Sequence, residues 1–271
     1  MLVTAAAQTN KGRVRPNNED AVGSVEPTDP TARERKGCLF AVADGLGGMN
    51  AGEVASATAV QTVLDEYYAP SNHHRVEPAL RHAVHLANLR IHDLAQKNVE
   101  QRGMGTTLTA LALAGATAYV AHVGDSRLYR LRRGQLAQLT QDHSEVAELI
   151  RMRVVKPEMA AQHPARNVLT RTVGHNLMLR PDFAREPVLP GDTFLLCTDG
   201  VWSEVQDEEL ASLLTDNAPE DACRWILELC LERECGDNIS AAVIQVADVD
   251  HAAQEQHHRQ TFLGNIMGRL R

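Results

Sequence analysis

Acidic residues recur where predicted strands begin or end. They fall in five separate segments and are Asp20 (preceded by Glu19), Asp44, Asp125, Asp199 and Asp237. Taken one at a time, Asp-Gly and Asp-Asn pairs are ordinary turn formers. Asp44-Gly45 and Asp199-Gly200, however, lead towards predicted helices and not into tight hairpins. We therefore expect these carboxylates to converge on one place in the fold.

A group of converging carboxylates needs a positively charged partner. An unpaired buried carboxylate costs several kcal/mol or takes up a proton, and repulsion between neighbouring carboxylates adds to that cost. Oxygen ligands without His or Cys suit hard divalent cations, Mg²⁺ or Mn²⁺. Gly45 fits such a site, because a residue without a Cβ lets its backbone carbonyl approach an ion closely.

The chemistry that such a site suggests is hydrolysis of a phosphate ester. Two cations about 4 Å apart can hold a shared water as hydroxide at neutral pH and neutralise a phosphoryl group under attack. Arg15 lies in the same segment as Asp20, and its planar guanidinium can bind phosphate through two parallel hydrogen bonds. A surface ion pair is an equally good explanation of Arg15.

Composition narrows the class of protein. The chain has 271 residues, 44% of them hydrophobic, which is enough for one domain with a sizeable core. Its net charge of −8 disfavours a nucleic-acid partner. Five cysteines without a C-x-x-C pair indicate reduced thiols and a cytoplasmic location. The longest uncharged stretch, 103–124, is interrupted by Gly115 and predicts two short strands, so we expect no membrane span.

Hydrophobic patterning predicts an α+β fold. Strands are predicted at 3–9, 39–43, 106–113, 117–123, 127–132, 135–140, 178–187, 192–198 and 239–246, and helices at 50–68, 77–98, 207–215 and 219–234. Strands and helices alternate in groups, which indicates a β-sandwich of two antiparallel sheets with helices packed outside. Residues 143–176 break this rhythm, and irregular segments of that length are typically functional or mobile.

Nine short segments, in order, resemble the metal-dependent protein phosphatase family, the type 2C serine/threonine phosphatases. They are "GRVRPNNEDA", "VADGLGG", "AGEVAS", "GMGTTLTA", "VGDSRLYR", "QDHS", "NVLTRTVG", "GDTFLLCTDGVW" and "GDNISAAVI", and they span residues 12–244. The chain is most similar to the compact bacterial members, which oppose eukaryote-like serine/threonine kinases.

The resemblance implies a fold and a set of site residues. The family fold is a β-sandwich flanked by helix pairs on both outer faces, with a mobile flap that corresponds to 143–176. Two Mn²⁺ or Mg²⁺ ions would be held by Asp44, Asp199, Asp237 and the Gly45 carbonyl, and through waters by Glu19 and Asp20. Arg15 would hold the phosphate. Asp125, with Asp199, would bind a third, weaker metal.

One position departs from the family pattern. Many members have His directly after the Asp-Gly of the second motif, proposed as the general acid for the leaving alkoxide, and here that residue is Leu46. A metal-bound water or solvent is then the source of that proton. His122 and His143 lie near matching motifs, but we expect both to be packed structural residues.

Together these patterns predict a catalytic domain over 1–247 and a tail over 248–271. The tail carries an amphipathic stripe, which predicts either a docked helix or a partner-binding segment. The predicted activity is hydrolysis of phosphoserine and phosphothreonine on proteins by a metal-bridging hydroxide. The expected partners are phosphoproteins and a cognate bacterial serine/threonine kinase, without nucleic acid or membrane. The alternatives are an inactive phosphoprotein-sensing module of the same fold and a phosphatase for a small phosphorylated compound.

Overall fold

The computed structural model describes residues 1–47, 51–72 and 75–249. Its strands are β1 Leu2–Asn10, β2 Asp20–Val25, β3 Cys38–Leu46, β4 Gly105–Thr106, β5 Leu108–Ala114, β6 Thr117–Val123, β7 Arg127–Arg132, β8 Gln135–Gln138, β9 Asp182–Pro187, β10 Thr193–Cys197 and β11 Ile239–Asp248. Its α-helices are α1 Pro30–Lys36, α2 Ala51–Tyr68, α3 Val76–Lys97, α4 Glu145–Arg151, α5 Asp199–Trp202, α6 Asp207–Asp216 and α7 Pro219–Glu232.

The strands form two sheets in which every pairing is antiparallel. The first sheet has the order β1-β11-β10-β7-β8, and the second has the order β2-β3-β5-β6-β9, with β4 paired to β3. One hydrophobic core fills the space between the sheets. A second core lies between the second sheet and α2 and α3, and a third lies between the first sheet and α6 and α7. The predicted sandwich with helix pairs on both outer faces is thereby confirmed.

The central strands are apolar on both faces because each face is covered. In β3, Phe40 and Val42 point into the core between the sheets, whereas Leu39, Ala41 and Ala43 point towards α2 and α3. This alternation follows from the period of two along a strand. Because both faces are buried, these strands appear in the sequence as continuous apolar runs.

Strand β2 and the helices α1 and α5 were missing from the sequence-based prediction. Strand β2 begins at Asp20, and helix α1 follows it. The start of α1 carries a recognisable signal, since Asp29 caps the helix by accepting a hydrogen bond from the backbone N–H of Ala32 at 2.8 Å, and Pro30 opens it.

Some predicted boundaries were wrong. Strand β3 continues through Asp44 to Leu46, because Gly45 and Leu46 pair with β4. Strand β9 begins at Asp182 and not at 178, since Pro181 has no N–H to offer a ladder. Asn50, the first residue of the helix predicted over 50–68, lies outside the described residues. So does the predicted tail from residue 250 onward.

Two further observations concern the surroundings of the chain. All five cysteines are buried and free, as the irregular cysteine spacing predicts. None of the helices within the described ranges combines the length and apolar character that crossing a membrane requires.

Candidate active site

The predicted acidic residues line one cavity at one end of the sandwich. The cavity has a volume of about 190 Å³. The residues around it are Arg15, Glu19, Asp44, Gly45, Leu46, Gly47, Asp125, Asn167, Leu169, Asp199, Asp237 and Asn238. Asp20 lies directly behind this wall, because it is the register partner of Asp44 across the β2–β3 pair.

Both sheets contribute carboxylates to the cavity. Asp20 and Asp44 belong to the second sheet. Asp199 begins α5 just after β10 of the first sheet, and Asp237 lies just before β11. Asp125 lies in the connection from β6 of the second sheet to β7 of the first. The site therefore exists only where the two sheets meet.

Asp20 is held by hydroxyl groups of the opposite sheet. Its Oδ2 accepts hydrogen bonds from Thr198 Oγ1 at 2.8 Å and Ser240 Oγ at 2.6 Å. Its Oδ1 is buried and has no hydrogen-bond partner among the described residues. Burial raises the pKa of Asp20 to about 7, and the two hydroxyl hydrogen bonds act in the opposite direction.

The other carboxylates of the site have raised pKa values for the same reason. Burial raises the pKa of Asp199 to about 6 and that of Asp125 to about 8, and each is raised further by neighbouring carboxylates. Burial, followed by repulsion from Asp20, holds the pKa of Asp44 well above its usual range. The Oδ1 of Asp199 is also buried without a partner among the described residues. The cluster thus lacks positive charge.

Gly45 lies where two segments of backbone approach closely. A Cβ on this residue would be 2.1 Å from the Gly52 carbonyl oxygen and 2.6 Å from the Glu19 carbonyl oxygen. Its N–H donates to that Glu19 oxygen at 3.0 Å. Packing of β3 against the start of α2 therefore requires glycine here, which the sequence pattern did not reveal.

Arg15 lies at the rim of the cavity. Its Nη2 donates to Asp237 Oδ2 at 2.6 Å, and about half of its side chain (49%) is exposed. The hydrogen bond to Asp237 raises the pKa of Arg15. The ion pair anticipated as one explanation of Arg15 is present, and its partner is an acid of the site itself.

Asn238 is a site residue that the sequence analysis missed. Its Oδ1 accepts from the backbone N–H of Glu19 at 2.8 Å. Its Nδ2 donates to the backbone oxygens of Lys11 at 2.8 Å and Asn17 at 2.9 Å. The side chain thus fixes the segment that carries Arg15 and Glu19 against the start of β11. Its neighbour Asp237 was the only sequence signal.

The segment 143–176 lies beside the cavity, as predicted for a flap. Asn167 and Leu169 contribute to the cavity wall. A bridge between Ser144 and Leu169 closes the segment on itself. Arg171 anchors its far end by donating to Asp182 at 2.8 Å.

The two histidines near the site are buried and structural. His122 Nδ1 shares a 2.9 Å hydrogen bond with Thr109 Oγ1, and burial lowers the pKa of His122 to about 3. His143 accepts from the backbone N–H of Gly124 at 3.1 Å and contacts Asp182. Neither ring lines the cavity, whereas Leu46 does.

The carboxylates share one cavity but are not drawn together around a single point. Within the described parts of the chain there is no group of three or more His, Cys, Asp or Glu side chains already placed to hold a metal ion.

Comparison with known proteins decides the family. The model of the family described as protein phosphatase 2C matches residues 12–228. The chain belongs to the protein phosphatase 2C family. Among its relatives is the serine/threonine phosphatase stp of Listeria welshimeri, which is 38% identical over 213 residues, covering 78% of this chain and 82% of that one.

Solved structures of this family superpose on the chain. PppA of Pseudomonas aeruginosa, described as a key regulatory component of T6SS, has a TM-score of 0.75 and 36% identity, covering 90% of this chain and 98% of that one. The catalytic domain of the serine/threonine protein phosphatase PstP in complex with two manganese ions has a TM-score of 0.78 and 33% identity, covering 91% and 99%. The prediction of a serine/threonine protein phosphatase is thereby confirmed.

Proposed function

We propose that this family member hydrolyses phosphoserine and phosphothreonine in proteins with two divalent cations held at the carboxylate cavity. Asp44, Asp199, Asp237 and the Gly45 carbonyl would be the direct ligands, with Glu19 and Asp20 acting through water. Asp125 would join Asp199 at a third, weaker position. The observation that supports this assignment most directly is the pair of buried, unpartnered carboxylate oxygens on Asp20 and Asp199.

The residues present fit hard divalent cations. Every candidate ligand is an oxygen atom, and Mg²⁺ and Mn²⁺ prefer such ligands. The raised pKa values of Asp20, Asp125 and Asp199 describe carboxylates that lack a positive partner. The related PstP structure that contains two manganese ions supports the proposed number.

Each residue has a distinct role in the proposed reaction. When bound, the cations would lower the pKa of a water molecule and stabilise negative charge on the phosphoryl group. Arg15 would exchange its contact with Asp237 for the phosphate oxygens and orient them. As the phosphorus–oxygen ester bond breaks, the serine or threonine oxygen takes up a proton. Leu46 has none to give, so solvent in the cavity supplies it.

The biological setting is proposed on broader grounds. Phosphoproteins would be the substrates, and the same residues would be phosphorylated by a bacterial serine/threonine kinase. The buried free thiols are compatible with a cytoplasmic location. The catalytic domain predicted over 1–247 would extend to residue 249, since β11 ends at Asp248 and Val249 is buried in the core between the sheets.

The test is phosphate release from a phosphothreonine peptide with Mn²⁺ and then with EDTA. We expect release only with the metal, and a loss of about a thousandfold in Asp199→Asn, because the variant removes a charged ligand. Asp216→Asn, which changes an exposed acid of α6, is the matched control and should be unaffected.

Near-normal turnover of Asp199→Asn would contradict the metal assignment. Folded protein that binds Mn²⁺ but releases no phosphate from the peptide would instead favour a sensing module or a small-molecule substrate.

A further inference from the structure

A groove of about 540 Å³ opens beside the carboxylate cavity. The groove and the cavity share Arg15, Asn167, Asp199 and Asp237 in their walls. A molecule whose phosphate lies in the cavity would therefore continue directly into the groove. The groove is larger than the 190 Å³ cavity, so a phosphate group alone leaves it empty.

One wall of the groove is apolar and belongs to the flap. Helix α4 presents Val146, Ala147 and Ile150 to it. Val146 is buried, whereas Ala147 and Ile150 are half-buried and thus accessible from the groove. Ser144 caps this helix by accepting a hydrogen bond from the backbone N–H of Ala147.

The opposite wall is the indole ring of Trp202, held in a fixed orientation. Its Nε1 donates to the backbone oxygen of Asp125 at 2.9 Å. The guanidinium of Arg127 stacks on the ring with its carbon 3.7 Å from the ring centre. Arg127 is itself fixed by hydrogen bonds to both carboxylate oxygens of Asp142. The ring is thus preorganised for contact.

Four of the seven charged side chains that line the groove are paired with one another, and the other three are Arg166, Asp199 and Glu204. Arg127 is paired with Asp142, and Arg15 with Asp237. Two apolar surfaces, α4 and Trp202, are then the features that distinguish one ligand from another. Removing apolar side-chain surface from water between such walls favours binding.

We propose that this groove binds the substrate segment next to the phosphorylated residue and selects segments with a large apolar side chain there. The inference rests on the proposed function and names the class of substrate sequence that the enzyme prefers. Continuity with the catalytic cavity identifies the occupant, since the groove begins at the residues proposed to hold phosphate and metal.

The test compares two phosphothreonine peptides that differ in one flanking residue, leucine or serine, together with p-nitrophenyl phosphate, which has no flanking residue. We expect kcat/KM for the leucine peptide to exceed that for the serine peptide by about tenfold. In Ile150→Ser the two peptides should become nearly equal, while hydrolysis of p-nitrophenyl phosphate stays unchanged. Leu177→Ser, which alters an exposed leucine outside the groove, is the matched control.

A second variant tests the proposal independently in case Ile150→Ser does not fold. Ala147→Phe fills the groove, and we expect it to raise KM for the leucine peptide about tenfold without affecting p-nitrophenyl phosphate. Equal kcat/KM for the two peptides in the unmodified enzyme would overturn the proposal, as would an equal loss for both in Ile150→Ser.

A binding measurement separates this proposal from the proposed function. Fluorescence anisotropy with peptides that carry a non-hydrolysable phosphonate in place of the phosphate reports on the groove without turnover. Tighter binding of the leucine peptide would support the groove even in a protein that released no phosphate. Equal binding of both peptides by an active enzyme would overturn the groove and leave the proposed function intact.

Discussion

At the residue scale, the site is a set of neighbouring carboxylates that repel one another. Asp20 and Asp125 are buried, Asp44 and Asp199 are half-buried, and the pKa of each is raised. Such a group of carboxylates destabilises the folded state unless a cation compensates its negative charge. Among the residues that the structure describes, Arg15 at the rim supplies the one ion pair with an acid lining the cavity.

Replacing Arg15 tests whether it holds the phosphate. We expect Arg15→Ala to raise KM for a phosphopeptide about tenfold with a smaller change in kcat, because a ground-state contact is lost. Arg15→Lys should recover only part of the loss, since lysine lacks the planar fork. Steady-state kinetics in saturating Mn²⁺, with the exposed Arg13→Ala as control, would measure this. An unchanged KM in Arg15→Ala would exclude Arg15 as the anion-binding residue.

At the element scale, the position of the site depends on close approach between β3 and α2. Gly45 and Gly52 bring the two backbones together, and a Cβ on either would clash with the other's carbonyl group. Neighbouring β2 also packs closely on α2, because a Cβ on Gly23 would lie 2.7 Å from Val60 Cγ1.

Adding a Cβ at Gly45 should destabilise the fold. We expect Gly45→Ala to lower the free energy of unfolding by about 1–3 kcal/mol, because backbone atoms must move to admit the methyl group. Urea denaturation in EDTA measures this without any contribution from metal binding. Gly236→Ala is the control, since a Cβ there meets no atom within 4 Å. Equal stability of Gly45→Ala and the unmodified protein would show that the contact relaxes freely.

The same elements show what the sequence could predict. Strand β3 was predictable because burial on both faces produces an unbroken apolar run. Strand β2 was missed because its sequence, DAVGSV, contains Gly23 for a packing reason that lies in α2 and not in local pattern. The acids were found one by one, whereas Asn238 was missed because its role depends on pairing with Glu19, 219 residues away in the chain.

At the scale of the whole molecule, the carboxylates of the site lower the stability of the metal-free fold. The metal-free fold must confine several carboxylates that the unfolded chain leaves in water. By linkage, any group whose pKa differs between the two states makes stability depend on pH. The buried His122 contributes with the opposite sign, because its pKa is lowered to about 3.

The metal-free protein should become more stable as the pH falls from 8 to about 6.5. The folded-state pKa values of Asp20, Asp125 and Asp199 are raised to about 7, 8 and 6, so the folded state binds protons that the unfolded chain has lost. Each group contributes up to about 1.4 kcal/mol per pH unit. Below pH 6.5 the trend should continue, with a slope smaller than the three carboxylates alone would give, because the unfolded chain protonates His122 and the folded state does not.

Urea denaturation in EDTA at several pH values measures this slope, and Asp125→Asn should flatten it most, because Asp125 has the highest of the three pKa values. With Mn²⁺ present the slope should reverse, since ligands must be ionised to bind metal. Stability that rises with pH in EDTA would contradict the raised pKa values.

The origin of the carboxylates in both sheets has a mechanical consequence. The core between the sheets holds the two sheets together by apolar contact, and the hydrogen bonds of Asp20 to Thr198 and Ser240 join them at the carboxylate end. At the carboxylate end, Asp20 and Asp44 come from one sheet, and Asp199 and Asp237 from the elements flanking β10 and β11 of the other. A cation bound by carboxylates of both sheets would prevent one sheet from sliding over the other at that edge. Binding of the cation would then reduce the mobility of β10 and β11, well away from the reacting phosphate.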